Sequence, residues 1–310
     1  MVRLARGLLK TAVEEFGTSG VLQRLADPFW FQSLACYLGF DWHSSGTTTT
    51  TAAALRIALS KESLGIAAAG GKGKAGLNTA QQLKQAGRPD LAHISRLVAK
   101  ADTTLLQDGF GLYHHILFYD DSHWTVIQQG LNGQWARRYQ WFDQHDIIQP
   151  ERAVVADRIQ NRVLNLSSSR SGDNRKAIVD LVKDRDYLRL PKHHGIKLSR
   201  RSRQILDQLQ PERFEELFEG RGIGPATMRA LSLGALLLYG EAPDWKDPAL
   251  FAYAHGGKDG VPFPVDKKTY DETIAFFEEN NFNLRRKLKA WTKSLRGDPS
   301  FTRLDTFMEE

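Results

Sequence analysis

Two glycines separated by one hydrophobic residue, Gly222-Ile223-Gly224, stand between a short acidic segment and Pro225. Glycine lets a backbone approach a phosphate closely, and the amides of a helix that opens at Pro225 point toward such a group. Ile223 is expected to turn inward and pin the flanking helices together, while Arg221 adds a positive charge. A second phrase, Gly70-Gly71-Lys72-Gly73-Lys74, and a third, His255-Gly256-Gly257-Lys258-Asp259-Gly260, combine glycines and lysines that can nest a phosphate, or they are simply surface loops. Neither has the P-loop spacing, so nucleotide hydrolysis has little support. Trp42, Tyr113, Trp124 and Tyr139 offer flat rings on which an extruded base could stack, with His43 among the groups able to read its edge; sheet core is the other use of such rings. Asp41, His43, His114, His115, His193 and His194 are the side chains available to a metal-dependent nuclease. Adjacent histidines on a strand face opposite ways, so His114 and His115 do not readily share one ion, and neither a metal nor another cofactor is expected.

The elements that must position these groups read as an α+β fold, mainly helical. Of 310 residues 41% are hydrophobic and 25% charged, the balance of a folded chain of one or two domains. Residues 1 to 105 read as helical, with Leu4, Leu8, Val13 and Phe16 at helical spacing. Residues 113–119 and 124–129, joined by Asp120-Asp121-Ser122, read as a β-hairpin, with 137–141 as a third strand. Beyond Gln149 the chain reads as almost wholly helical, at 157–166, 175–182, 199–208, 211–218, 225–239, 268–280 and 284–295. The boundary is placed at Gln149-Pro150, between an α+β domain of residues 1–150 and a helical DNA-binding domain of residues 151–310. No apolar run reaches the ~20 residues that span a bilayer and the first residues lack a signal peptide's core, so a cytoplasmic protein without membrane contact is expected. Cys36 is the only cysteine, which excludes internal disulfides and cysteine-rich metal sites and suggests a buried thiol. Lys and Arg number 42 against 36 Asp and Glu, with basic residues gathered at 185–203 and 285–289, compatible with nucleic acid or with solvated helix faces.

The stretch 209–239 resembles the helix-hairpin-helix motif of DNA repair and replication proteins, with Ala226 and Thr227 at the positions of the small residue and threonine that follow its glycines. In the glycosylase superfamily built on that motif, a hydrophobic-Asp step at the next helix start serves base excision. Pro264-Val265-Asp266 is similar to that step. The resemblance implies that the Asp266 carboxylate stabilises positive charge developing on the sugar or activates water; capping the helix that follows is its other role. Asp266 stands 42 positions after Gly224, about twice the family's separation, so 241–263 reads as an inserted loop, with Lys258 in it and Lys268 beyond it as further candidate DNA contacts. Lyase-competent members carry a lysine where this chain has Ala226, which implies a monofunctional enzyme leaving an abasic site. The segments 27–32, 40–46, 70–74, 136–139 and 254–260 together resemble an archaeal and bacterial family catalogued as domain of unknown function 763. Members usually carry a short extra N-terminal segment, so the chain is expected to begin inside the family pattern. The combined expectation is a DNA glycosylase acting on a damaged base, or on a modified base of foreign DNA. It would contact DNA mainly through phosphates, with no obligate protein partner. A metal-dependent nuclease and a non-enzymatic DNA-binding protein are the alternatives.

Overall fold

The structure is a computed structural model that describes residues 1–40, 46–156, 158–191 and 196–252. Three helices come first. Val2–Ala26 (α1) buries Leu4, Leu8, Leu9, Val21, Leu22 and Leu25 along one side. Pro28–Tyr37 (α2) opens on a proline, and the Asp27 carboxylate caps it by accepting from the amides of Phe29 at 2.8 Å and Trp30 at 3.0 Å. Gly46–Lys61 (α3) absorbs all five threonines. β-Branched residues are poor helix formers, but Thr49 and Thr50 return their hydroxyls to the Gly46 carbonyl at 3.1 and 2.9 Å, and Thr47, Thr48, Thr49 and Thr51 are buried.

The centre is a six-stranded sheet in the order β1-β3-β4-β5-β6-β8, formed by Ala67–Lys72 (β1), Gly111–Tyr119 (β3), Trp124–Asn132 (β4), Trp135–Phe142 (β5), Ala153–Ala156 (β6) and Phe251–Ala252 (β8). Its pairs are antiparallel except β6 with β8. Leu106–Gln107 (β2) and Leu164–Asn165 (β7) form a separate two-stranded ribbon. The expected hairpin is β3 and β4, closed by Asp120, whose carboxylate accepts from the amides of Ser122 and His123 at 2.8 and 2.6 Å.

Three features depart from the sequence expectation. β1 lies inside the region expected to be helical: its run of alanines and glycines has no β propensity, and its place on the sheet edge comes from elsewhere. The Gly70 amide donates to Gln82 Oε1 at 3.0 Å and its carbonyl accepts from Arg56 at 2.6 Å, so side chains satisfy the edge that no strand covers. Where a helix is expected over 157–166, the described residues 158–166 are irregular chain and β7. Residue 150 lies between two strands of one sheet rather than between two separate halves, because β6 pairs with β5.

Helices cover both faces of the sheet. On one, Ile116, Phe118 and Ile127 pack with α1 to α3. On the other, Leu117, Val126, Tyr139 and Trp141 share a core with Thr79–Gln85 (α5), reached from β1 through the single turn Lys74–Leu77 (α4), and with Pro89–Lys100 (α6). That core continues into Gly172–Lys183 (α7), Arg200–Gln208 (α8), Phe214–Glu219 (α9) and Pro225–Tyr239 (α10). Arg137, fully buried, holds the later chain to the sheet: its guanidinium bonds Asp108 at 3.1 Å and grips Asp247 through both terminal nitrogens at 3.0 and 2.7 Å. Among the described residues no helix is long and apolar enough to cross a membrane.

Candidate nucleic-acid interface

Leu217 and Phe218 at the end of α9 are buried, and so are Met228 and Leu231 in the first turns of α10. Residues 220–224 link these two apolar ends, and Ile223, 1% exposed, fills the space between them as expected. Gly222 adopts φ +84, a left-handed conformation that a β-branched residue resists, and a Cβ there would collide with Ile205 Cδ1 of α8. Gly224 is different. Its φ of −114° and ψ of −173° are extended backbone open to any residue, and a Cβ there would meet nothing within 4 Å. No side chain caps the helix that follows, so the amides of its first turn face outward beside exposed Arg221 and Ala226.

The support beneath this turn comes from residues distant in sequence. Lys100, at the end of α6, donates to the Gly220 carbonyl at 2.8 Å and lies 5.4 Å from the Phe218 ring centroid. Burial lowers its ammonium pKa, while nearby Glu219 acts in the opposite direction. Gln107 donates to the Pro225 carbonyl at 2.8 Å and accepts from Arg229 at 3.2 Å. Thr227, expected to meet DNA, instead turns its side chain inward: it is 6% exposed and its hydroxyl pairs with Ser202 of α8 at 2.9 Å. The reason is helical phase, since the residue after Ala226 falls on the buried stripe of α10. That bond brings the start of α8, with exposed Arg200 and Arg201, beside the start of α10. The basic run was visible in the sequence; its place next to the glycines was not. Arg185 and Arg189 of the same run are paired with Asp207 and Asp186 at 2.8 and 3.1 Å.

The expected base-pocket residues separate. Tyr113 is half-buried at the start of β3, its hydroxyl accepting from Gln129 Nε2 at 2.8 Å and its ring centroid 5.8 Å from the ammonium of exposed Lys72. Lys74, also exposed, opens α4 beyond it. Tyr139 is a correction: it lies on the opposite face, fully buried, its hydroxyl donating to Asp108 at 2.6 Å, so it is core and cannot stack on a ligand. Trp124 is buried in the same core. Trp42, His43, Lys258, Asp266 and Lys268 lie outside the described residues, as do Asp41, His193, His194 and the helices expected after 252.

His114 and His115 point to opposite faces of the sheet. His115 is tied by Nδ1 to Gln128 Oε1 at 2.7 Å and by Nε2 to Ser95 at 2.8 Å. Gln128 in turn donates to Asp102, which also accepts from Trp141 Nε1, both at 2.7 Å, and pairs with Arg152 at 2.7 Å. Register alone could not have found this chain, because Ser95 and Asp102 arrive from α6 and the π-helical turn Ala101–Leu105 after it. His114, 1% exposed, has no hydrogen-bond partner for either ring nitrogen among the described residues. An unmatched buried polar atom costs about 1–3 kcal/mol. Among the described residues no three His, Cys, Asp or Glu side chains stand together as metal ligands.

These buried groups give a pH dependence. Burial holds the His114 ring down to about 3, helped by the charges of His115 and Lys72, and holds His115 down to about 4 against the hydrogen bond from Gln128. Burial pushes Asp102 up to about 6, opposed by Arg152, Trp141 and Gln128 and assisted by Asp108. Both histidines keep their protons off in the folded protein, so the stability they contribute is complete above the ordinary histidine value of about 6.5 and is lost as pH falls toward 4. Asp102 acts oppositely, favouring the fold as pH drops from 6 toward its ordinary value of 3.8. Asp108 and Asp143, also pushed up by burial, act with Asp102, so the contribution of the ring is read as a difference between proteins. Between about pH 6.5 and 4.5 the urea midpoint of the wild type should fall relative to that of His114→Phe; a constant difference between the two would show that the His114 ring is not buried neutral.

The family model described as "Protein of unknown function (DUF763)" matches residues 1–265. No curated protein and no solved structure matches the chain.

Proposed function

The chain belongs to the DUF763 family, and on that footing we propose that it binds DNA through the Gly222-Ile223-Gly224 turn and excises a damaged or modified base. The observation that carries the binding reading is Gly224, which the fold leaves open although its conformation suits any residue. A glycine that the backbone does not require, next to the uncapped start of a 15-residue helix, suits the close approach of a phosphate oxygen. Arg221, Arg200 and Arg201 supply positive charge around it. Contacts of this kind read no sequence, so binding is tolerant of sequence and sensitive to salt.

The excision step rests on the resemblance of residues 209–239 and of Pro264-Val265-Asp266 to the helix-hairpin-helix glycosylases. In it, Asp266 stabilises the charge that develops on the sugar as the base departs, and Ala226 offers no amine to cut the strand. The binding test is affinity for a short duplex as a function of salt. Arg221→Ala should lower the slope of log affinity against log salt by about one unit, whatever the duplex sequence. An unchanged slope would remove Arg221 from the interface. The excision test is incubation with genomic DNAs that differ in modification, reading released bases and alkali-labile sites; no release from any of them leaves the non-enzymatic reading.

A further inference from the structure

Strand pairing sets Lys72 opposite His114, His114 opposite Gln129, and Gln129 opposite Arg138. The four side chains therefore form a row across β1, β3, β4 and β5, on the face that carries Ile116 and Ile127. Arg138 is engaged with Gln140, Gln32 and Thr48 at 2.9, 3.1 and 3.4 Å. His114, separated from it in the row by Gln129, is nine-tenths buried and has two ring nitrogens without partners among the described residues. Tyr113 and exposed Lys72 stand on its solvent side.

We propose that Tyr113, His114, Gln129 and Lys72 form the subsite that receives the heterocyclic base of a nucleotide extruded from bound DNA. This rests on the hairpin reading for how the strand is brought there. A neutral imidazole carries one donor and one acceptor that point away from each other, so one nitrogen can meet a donor or an acceptor on the edge of a purine or pyrimidine. The low value for His114 keeps the ring in that neutral form at physiological pH. Tyr113 supplies a ring for stacking and Lys72 a charge for the flanking phosphate, and the base enters as these two swing aside. β1 ends at Lys72 and β3 begins at Gly111, four residues after Gln107, which holds the Pro225 carbonyl and Arg229, so the row stands toward the end of the sheet nearest the glycine turn but on the opposite face, and the strand passes around that end to reach it.

The test uses a single-stranded oligonucleotide with one 2-aminopurine, whose fluorescence reports stacking, on the wild type, Gly224→Val and His114→Phe. Phenylalanine replaces the imidazole by a larger ring without nitrogens, so thermal melting is measured beside the fluorescence to show that the variant is folded. His114→Phe is expected to lose at least tenfold of the protein-dependent fluorescence change at saturation. Gly224→Val should bind more weakly, yet show the full change at saturation. A folded His114→Phe that retains the wild-type change overturns the subsite. If the wild type binds no oligonucleotide, the hairpin reading falls. The subsite is then decided by the ring ¹⁵N signals of His114 with the deoxynucleoside of 2-aminopurine at millimolar concentration: a shift supports it, and signals fixed by a trapped water overturn it.

Discussion

A Gly224→Val variant is expected to fold as the wild type does and to bind DNA about 10- to 100-fold more weakly, the value of one charge-assisted hydrogen bond at about 1.5–3 kcal/mol. The expectation comes from the contrast between two glycines two residues apart. Valine is at home in the extended backbone of position 224, where its side chain would meet no neighbour within 4 Å and would occupy the space a phosphate needs. At position 222 valine must take φ +84 and displace Ile205, so Gly222→Val should cost about 1–3 kcal/mol or more of stability and lower affinity only through the fold. Thermal melting and binding measured on both variants separate the two effects. Unchanged affinity in a folded Gly224→Val protein would take the phosphate away from this turn.

Asp266→Asn is expected to abolish base release, by about 10²- to 10³-fold or more, and to leave DNA affinity within about twofold of the wild type. The amide keeps the size of the carboxylate and loses the negative charge, so the loss falls on the transition state, where positive charge develops on the sugar, rather than on the bound ground state. With Ala226 where an attacking lysine would stand, borohydride should trap no covalent adduct between the wild-type protein and a cleavable substrate. Full release by Asp266→Asn would remove that carboxylate from the mechanism. A trapped adduct would show instead that an amine attacks the sugar, with Lys267 and Lys268 the nearest in sequence to Asp266.

What the sequence determined by itself was local. The turn at 220–224, with Pro225 opening a helix and Ile223 facing inward, follows from glycine, proline and apolar spacing over a few residues. The β3-β4 hairpin follows in the same way from aromatic and β-branched runs around Asp120. The opposite orientation of His114 and His115 needs only the alternation of a strand. Tertiary structure decided the rest, because it depends on side chains from distant segments. Ala67–Lys72 is a strand because β3 and the side chains of Arg56 and Gln82 satisfy its two edges, an arrangement no property of its alanines and glycines encodes. Tyr113 and Tyr139 look alike as aromatic strand residues, yet sheet register sends Tyr139 to the core, where Asp108 takes its hydroxyl, and leaves Tyr113 half-buried beside Lys72. Thr227 looked like a phosphate contact until helical phase and Ser202 turned it inward. The row of Lys72, His114, Gln129 and Arg138 draws on residues as far as 66 positions apart and exists only because four strands pair in one register. A chain read in order carries propensities, whereas which polar groups face one another is fixed by pairing and burial across the whole fold.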